Sequence, residues 1–400
     1  MDVVREYLVL GLRLGHLVDG FIDCWYGDPA VAAEAAAEQP APAELAAQAV
    51  ILGKTLADSD LPEPRRRFLA AQLRAMECSA RRLAGESMPF LAEVREYFGV
   101  TVSLGDPARY AEIHETMARL LPGPGDLAGR VDAFYARNAV PPGKLLDGVR
   151  LISDELRDLA VDTFRLPAGE RVEYEVVTDV PWNAYNRYLG GYRSAVALNA
   201  DAGRTIAALP LLVTHESYAG HHTERCVKEA GLIQVRGQAE HTLALVNTPQ
   251  CLLAEGTAEL AVAAVLGPGW GRWTADRLAA LSVPMEGELV EEMVGLVRQL
   301  LPARQDAAIL AHDRGAGPDE ISEYLRRWLL LPTDRAEHMT TFLTDPLWRA
   351  YSVTYVEGSR LVSAWLDARP AGQTVADRYR TLLDEQLVPA DLATQSLTNI

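Results

Sequence analysis

The sequence predicts a mainly α-helical fold with one small β region beside a cluster of histidines. Apolar residues recur every three or four positions along most of the 400-residue chain, which is the spacing of one helix face. The breaks between these stretches contain proline or glycine, as at 121–125 and 141–143. Only residues 166–200 change character, because they are rich in valine and tyrosine and partly alternate.

The N-terminal half is expected to hold a series of helices followed by strands. Residues 3–25 form the first helix, and the alanine-rich segment 29–57 forms the second, since alanine favours helix most strongly. Further helices are expected at 62–84, 88–98, 107–121, 125–138 and 142–164. A strand at 172–180 then precedes two short strands within 185–200, which surround Gly190 and Gly191.

The C-terminal half returns to helix. Pro210 suits a helix start and Gly231 lies just past its end, so a helix over 210–230 carries the histidines. Thr248 caps the next helix, with Pro249 in its first position. The remaining helices are expected at 284–300, 302–314, 318–329, 347–367 and 374–386. We divide the chain into an N-terminal helical part, 1–165, and a metal-site part, 166–400, which together form one compact unit around a central cleft.

Composition limits the possible partners and the compartment. The net charge of −17 argues against binding to nucleic acid or to an anionic membrane. The four cysteines form no Cys-x-x-Cys pair, which is typical of reduced thiols in a cytoplasmic protein. Arg5, Arg13 and Asp19 interrupt the N-terminal segment, so neither a signal peptide nor a membrane span is expected there. The expected partner is a peptide or small-molecule substrate, and the oligomeric state is left open.

The stretch VTHESYAGHHTE at 213–224 holds three of the eight histidines. His215 followed by Glu216 matches the start of a zinc-hydrolase helix, in which the histidine binds metal and the glutamate acts as general base. Zinc prefers imidazole and carboxylate ligands, and Glu255 in the helical segment LLAEGTAEL could supply another. Manganese, cobalt or iron would also accept these ligand types.

The spacing of the second histidine is unusual. The standard motif repeats histidine after four residues, but position 219 is alanine. On a regular helix His222 shares the face of His215 but lies about 10.5 Å further along the axis, whereas His221 is nearer and points elsewhere. Gly220 permits a kink or a wide turn. The sequence therefore predicts a break around Ala219-Gly220 and leaves both His221 and His222 as candidate metal ligands.

The simpler alternative is a set of polar residues on a solvated helix face. The chain has another His-Glu pair at 114–115 without a second histidine nearby, so such a pair alone carries little information. Three histidines, a glycine between them and a helical glutamate downstream together favour the metal site.

The stretch HESYAGHH resembles the His-Glu-x-x-Pro-Gly-His-His signature of the bacterial family of unknown function numbered 885, whose members are similar to the Taq-type zinc carboxypeptidases. Residues 10–30, 254–260 and 352–361 also resemble segments of that family, in the expected order. The resemblance implies a multi-helix, zincin-like (carboxypeptidase Taq-like) architecture with a small antiparallel β-hairpin near the active site. It further implies Glu255 as a metal ligand.

Other residues are candidates for binding the substrate or the transition state. Tyr351 and Tyr355 lie on one helix face and could donate to an oxyanion, and the resemblance favours Tyr355 as the catalytic one. Arg360 could bind a substrate carboxylate, and Gly190 and Gly191 would let an extended substrate approach a strand edge. The structural alternatives are core tyrosines, a surface arginine and a plain hairpin turn. Glu259 is a candidate partner for a metal-binding histidine.

Two functions of different class follow. The first is a zinc-dependent peptidase or amide hydrolase with Glu216 as general base. The second is a repurposed or non-catalytic zincin-like protein that binds or processes a non-peptide small molecule. Two departures from the family pattern motivate the second function, since Ala219 replaces its proline and Thr257 its tryptophan.

Overall fold

The computed structural model describes residues 2–180, 182–201 and 208–398. The fold is mainly α-helical with small sheets, as predicted. The elements before the larger sheet are α1 (Val3–Leu17), β1 (Ile22–Trp25), α2 (Pro29–Ala37), α3 (Pro42–Ala57), α4 (Glu63–Leu83), α5 (Phe90–Phe98), α6 (Pro107–Leu120), α7 (Leu127–Asn138) and α8 (Pro142–Phe164).

The strands of the larger sheet and the helices around the histidines follow. They are β2 (Arg171–Val177), β3 (Ala184–Gly190), β4 (Arg193–Asn199), α9 (Leu209–Glu216), α10 (His221–Lys228), β5 (Leu243–Leu245) and α11 (Pro249–Glu259). The C-terminal helices are α12 (Ala261–Val265), α13 (Trp270–Leu278), α14 (Gly287–Leu300), α15 (Pro302–Asp313), α16 (Pro318–Leu329), α17 (Thr333–Thr344), α18 (Ser359–Asp367), α19 (Val375–Asp384) and α20 (Pro389–Thr398). Two turns, Glu229–Val235 and Thr354–Gly358, are π-helical.

Local chemistry explains many of the helix boundaries. Side chains at the N-caps accept hydrogen bonds from backbone N–H groups that would otherwise lack a helical partner; these caps are Asp2, Asp28, Asp106, Asp126, Thr248 and Thr374. The predicted cap at Thr248 is confirmed, since its hydroxyl accepts from the N–H of Cys251. Proline in the first turn helps to start several of these helices because it needs no N–H partner there.

Several predicted helices are shorter than expected. The first ends at Leu17, and β1 replaces its last turn because these residues pair with β5. The segment 29–57 contains two helices, since Pro40 and Pro42 interrupt the backbone hydrogen bonds between them. The predicted helix 347–367 begins as turns and a π-helical segment before α18. Helices α13, α17 and α20 were not predicted.

The larger sheet has the strand order β2-β4-β3. Strands β3 and β4 form the predicted antiparallel hairpin, and β2 lies parallel to β4. The hairpin turns at Gly190 and Gly191, which both have positive φ angles. Strand β3 is therefore an outer strand, and it lies beside α9.

Two hydrophobic clusters form the core. The larger one draws side chains from Cys24 to Leu392, including α5 to α8 and most C-terminal helices. The smaller one joins α1 to α4 with β5. The boundary at residue 165 stays a prediction, although the larger cluster combines side chains from both of its sides. None of the helices in the described part of the chain is long and apolar enough to cross a membrane.

Candidate metal centre

The helix that carries the histidines breaks where the sequence predicts. Helix α9 ends at Glu216 and α10 begins at His221, so residues 217–220 leave the helical path. The N–H of Gly220 donates to the carbonyl of Thr214 over 2.8 Å. A Cβ atom at Gly220 would lie only 2.0 Å from the carbonyl oxygen of His215. A glycine is therefore required at this turn.

The break brings His221, and not His222, back to His215. The two rings of His215 and His221 meet edge to face, with centroids 4.8 Å apart. Together with Glu255 they form a group whose potential ligand atoms all lie within 4.8 Å of one another. The Nε2 atoms of His215 and His221 lie 3.4 and 3.5 Å from the two carboxylate oxygens of Glu255. We call these three residues the metal-centre cluster.

The other candidate ligand, His222, lies outside this cluster. Its side chain is fully buried, with Nδ1 2.9 Å from the Ser194 hydroxyl and Nε2 3.0 Å from a carboxylate oxygen of Glu170. One residue advances a helix by about 100°, so neighbouring histidines at the start of α10 point to different sides. His222 therefore belongs to a hydrogen-bonded group behind the break.

The donor set of the metal-centre cluster fits zinc. Two imidazoles and one carboxylate are the ligands of many catalytic zinc sites, which keep a fourth position open. Ligand atoms about 2.0–2.1 Å from one tetrahedral ion are roughly 3.3 Å apart, close to the contacts that Glu255 makes with both rings. The Oε2 atom of Glu255 is buried and makes no hydrogen bond in the described part of the chain. This oxygen lies 3.4 Å from His215 Nε2, and a metal ion shared by the two atoms would replace that contact.

Neighbouring residues hold Glu255 and His215 in place. The hydroxyl of Tyr351 donates to Glu255 Oε1 over 2.8 Å. The Nδ1 atom of His215 lies 3.5 Å from a carboxylate oxygen of Glu259, the predicted partner of a metal-binding histidine. Glu259 in turn pairs with Arg298 over 3.2 Å. These contacts fix the orientations of the side chains that face the cluster.

The electrostatics of the cluster suit a cation. Burial disfavours the charged ring of His215, but the carboxylates of Glu255, Glu216 and Glu259 prevail and raise its pKa to about 9. Burial alone would raise the pKa of Glu255, yet the rings of His215 and His221 hold it well below its usual range. The pKa of His221 is raised against its burial by the same carboxylate. Without metal, the raised pKa of His215 favours a proton on its ring, which offsets the carboxylate charge of Glu255.

Glu216 is buried and shares the electrostatic surroundings of the cluster. Burial raises the pKa of its carboxyl group, and the charges of His215 and His221 partly oppose this rise. The side chain of Asn186 donates to the backbone carbonyl of Glu216, which fixes the end of α9 to strand β3. The hairpin thus lies next to the proposed base, as the sequence predicts.

The predicted tyrosines lie beside the cluster. The ring of Tyr355 packs edge-on against that of Tyr351, with centroids 5.6 Å apart. The segment that carries the tyrosines packs closely on α11, since a Cβ on Gly256 would lie 2.3 Å from the carbonyl carbon of Gly358. The hydroxyl of Tyr351 is used by Glu255, so this tyrosine orients a candidate ligand.

Arg360 does not lie with the other predicted site residues. Its side chain is 64% exposed and pairs with Glu357 over 2.7 Å. The prediction that Arg360 binds a substrate carboxylate finds no support in its position.

The two predicted glycines of the hairpin serve its turn. The N–H of Gly191 donates to Glu229 over 3.1 Å, and a Cβ on Gly190 would contact the side chain of Tyr26 at 3.1 Å. Their contacts therefore lie with Tyr26 and Glu229. The part of β3 nearest to the cluster holds Asn186.

Sequence reasoning missed Arg304, a half-buried arginine on α15. Its guanidinium carbon lies 5.1 Å from the centre of the Tyr355 ring and 5.2 Å from that of Phe342. Its Nε atom is buried and has no hydrogen-bond partner in the described part of the chain. Glu259 and Glu255 are among the charges that act on it. No motif marks this position, because Arg304 joins the site only through the packing of α15.

The similarity of this chain to known proteins extends only to the fold. A solved structure from Colwellia psychrerythraea, described as a "putative lipoprotein", matches with a TM-score of 0.53 and 14% identity over 88% of this chain and 66% of its own. A "putative lipoprotein of unknown function" from Shewanella oneidensis matches with a TM-score of 0.52 and 13% identity over 92% of this chain and 76% of its own. This chain thus spans just under two thirds of the Colwellia protein. No family model and no curated protein matches.

Proposed function

We propose that this chain is a zinc-dependent hydrolase that acts on a peptide or another amide. The observation that carries the proposal is the convergence of His215, His221 and Glu255, whose ligand atoms lie within 4.8 Å of one another. The buried, unbonded Oε2 atom of Glu255 adds to it.

Glu216 is the general base of the proposed reaction. A bound zinc ion would supply positive charge that polarises water and the substrate carbonyl. Glu216 takes a proton from the attacking water and delivers it to the leaving nitrogen, a role that the raised pKa of a buried carboxyl group favours near neutral pH. The water oxygen bonds to the carbonyl carbon, the C–N bond breaks, and the products are a carboxylic acid and an amine.

Tyr355 is the proposed donor to the oxygen that becomes negative in the transition state. Burial raises the pKa of its hydroxyl well above the usual value, and the charge of Glu255 adds to the rise. The hydroxyl therefore keeps its proton and remains a hydrogen-bond donor at all ordinary pH values. Donors fixed in a dry site stabilise a developing oxyanion strongly because they need no reorientation.

The position of Arg304 favours a substrate that carries a negatively charged group. The Nε atom of Arg304 is buried beside Tyr355 and has no hydrogen-bond partner in the described part of the chain, and a substrate anion could supply one. The nearby carboxylate of Glu259 already pairs with Arg298. A substrate carboxylate bound by Arg304 would lie on the Tyr355 side of the cluster.

The proposal is tested by metal content and turnover together. Elemental analysis of the purified protein should find about one zinc per chain, and a chelator should remove both the metal and the hydrolysis of a library of N-acyl amino acids and short peptides. Glu216→Gln should bind zinc normally but lower kcat by about 10²–10⁴-fold. The matched control is Glu175→Gln on the exposed side of β2, which should be fully active.

Two results would contradict the proposal. A purified protein that binds no stoichiometric zinc, manganese, cobalt or iron rejects the metal site. Zinc binding without hydrolysis of any amide in the library rejects the activity and favours the non-catalytic alternative.

A further inference from the structure

The histidine that does not reach the metal-centre cluster is part of a complete hydrogen-bonded group. His222 uses both ring nitrogens, one with Ser194 on β4 and the other with Glu170 just before β2. Glu170 is also buried, and it accepts from the Tyr218 hydroxyl over 2.9 Å and from Arg157 over 2.6 Å. A buried carboxylate with this many donors is fixed in both position and charge.

This group holds the chain on both sides of one turn. Tyr218 lies within the break, whereas His222 lies in the first turn of α10, and both bind the same oxygen of Glu170. Ser217, also in the break, accepts from the Tyr174 hydroxyl over 2.7 Å. The direction in which α10 leaves the break is therefore set from the side of the sheet.

The direction of α10 decides where His221 points. His221 is the first residue of α10 and the residue before His222, so a rotation of that turn moves both rings together. The ring of His221 must face Glu255 for the cluster to form, and it does so over 3.5 Å. Its position depends on the break because no regular helix connects it to His215.

We propose that Glu170 and His222 act as a clamp that positions His221 for metal binding, although neither residue contacts the metal. The proposal rests on the proposed function, because it gives the clamp a role only if the cluster binds metal. Glu170, His222 and Tyr218 are thus positioning residues. Their substitution changes the geometry of the metal site as well as the stability of the fold.

The test compares two mild variants with a matched control. Tyr218→Phe removes one hydrogen bond to Glu170, and Glu170→Gln places an amide where three donors converge. Tyr324→Phe is the control, since its hydroxyl donates to the carboxylate of Asp306 over the same 2.9 Å in another part of the chain. All three variants should lose stability, but only the first two should change the metal site.

Zinc affinity, measured by competition with a chromophoric chelator, should fall about tenfold in Tyr218→Phe and more in Glu170→Gln, and should be unchanged in Tyr324→Phe. The visible spectrum of the cobalt-loaded protein should change in the first two variants, because it reports the coordination geometry. Normal zinc affinity and an unchanged cobalt spectrum in both Tyr218→Phe and Glu170→Gln would overturn the proposal. The clamp would then be a purely structural group.

A second measurement separates this proposal from the metal site itself. In a crystal structure of the metal-free Glu170→Gln protein, His221 Nε2 should lie further from Glu255 than the present 3.5 Å. An unmoved His221 would overturn the clamp. A wild-type protein that binds no zinc would instead reject the proposed function, while this distance would still decide whether the clamp positions His221.

Discussion

Two histidine–glutamate groups lie beside the break between α9 and α10, one buried and one with half-buried histidines, and they differ in how their polar atoms are satisfied. Behind the break, His222 and Glu170 have partners for both ring nitrogens and both carboxylate oxygens. In the metal-centre cluster, Glu255 Oε2 is buried, lies 3.4 Å from His215 Nε2 and makes no hydrogen bond within the described part of the chain. Buried polar groups in folded proteins are nearly always paired. The difference supports our proposal that one group stabilises the fold and the other binds metal.

The largest effect is expected from Gly220→Ala, which attacks the turn that separates the two groups. The new Cβ would lie 2.0 Å from the carbonyl of His215, so the backbone must move. We expect a loss of about 3 kcal/mol or more in the free energy of unfolding, together with loss of zinc binding. Urea denaturation and zinc titration measure both.

The control for this substitution is Gly53→Ala in α3, where a Cβ has no heavy atom within 4 Å. Alanine there should leave stability unchanged or raise it by up to about 1 kcal/mol. Equal stability of the two alanine variants would show that the turn does not need glycine.

The next prediction separates the two histidines. His221→Asn should lower zinc affinity by at least about 100-fold, because it removes one of three ligands. His222→Asn should cost about 1–3 kcal/mol of stability, since it removes one hydrogen bond each from the buried Ser194 and Glu170. Its effect on zinc affinity should be much smaller. Isothermal titration and thermal unfolding of both variants measure these differences, and the reversed pattern would exchange the roles of the two groups.

The pH dependence of zinc affinity and of metal-free stability distinguishes the metal-centre cluster from a purely structural histidine–glutamate group. The pKa of His215 is raised to about 9. At any pH below 9, zinc must therefore displace a proton from this ring in order to bind. The affinity of the protein for zinc should fall at least about tenfold for each unit of decreasing pH. The folding stability of the metal-free protein should show the opposite dependence and decrease as pH rises. A raised histidine pKa adds stability that is complete below the unfolded value of about 6.5 and is lost as pH rises towards 9.

Titrations between pH 6 and 9 that monitor zinc affinity and metal-free stability in parallel check this prediction. Zinc affinity that does not depend on pH would mean that the ring of His215 carries no proton for the metal to displace.

The smallest effect is expected at the edge of the site. Arg304→Met should raise KM about tenfold for substrates with a free carboxylate and leave KM unchanged for the corresponding carboxamides. It should not lower stability, because it removes a half-buried charge without an ion pair in the described part of the chain. Arg360→Met, at the exposed arginine bound to Glu357, is the matched control and should leave both KM values unchanged. An equal increase in KM for carboxylate and carboxamide substrates would count against an anion site at Arg304.

The sequence predicts the break but does not predict which histidine the break brings close to His215. Metal binding by His215 and a later histidine would require a departure from regular helix around Ala219-Gly220, and the structure has that departure. The choice between His221 and His222 depends on how far the chain rotates across residues 217–220. That rotation is set by Glu170, 52 residues upstream of His222, and the local spacing contains no information about it.

The parts of the fold that escaped prediction depend on contacts between distant residues. Strand β1 has four residues and β5 has three, too few for a period to be recognised, and they pair across more than 200 residues of chain. Arg304 likewise joins Tyr355 only through the packing of α15. Helix α8 is visible in the sequence because its amphipathic pattern is local, and α11 is visible because Thr248 caps it and Pro249 occupies its first turn.

The central claim is that metal binds at His215, His221 and Glu255 and not at His222. A crystal structure of the zinc-loaded protein, with anomalous data collected on both sides of the zinc absorption edge, tests it most directly. We predict one anomalous peak about 2.0–2.2 Å from a nitrogen of each of the two histidines and an oxygen of Glu255. A peak between His222 and Glu170, or none in the metal-centre cluster at saturating zinc, would contradict the claim.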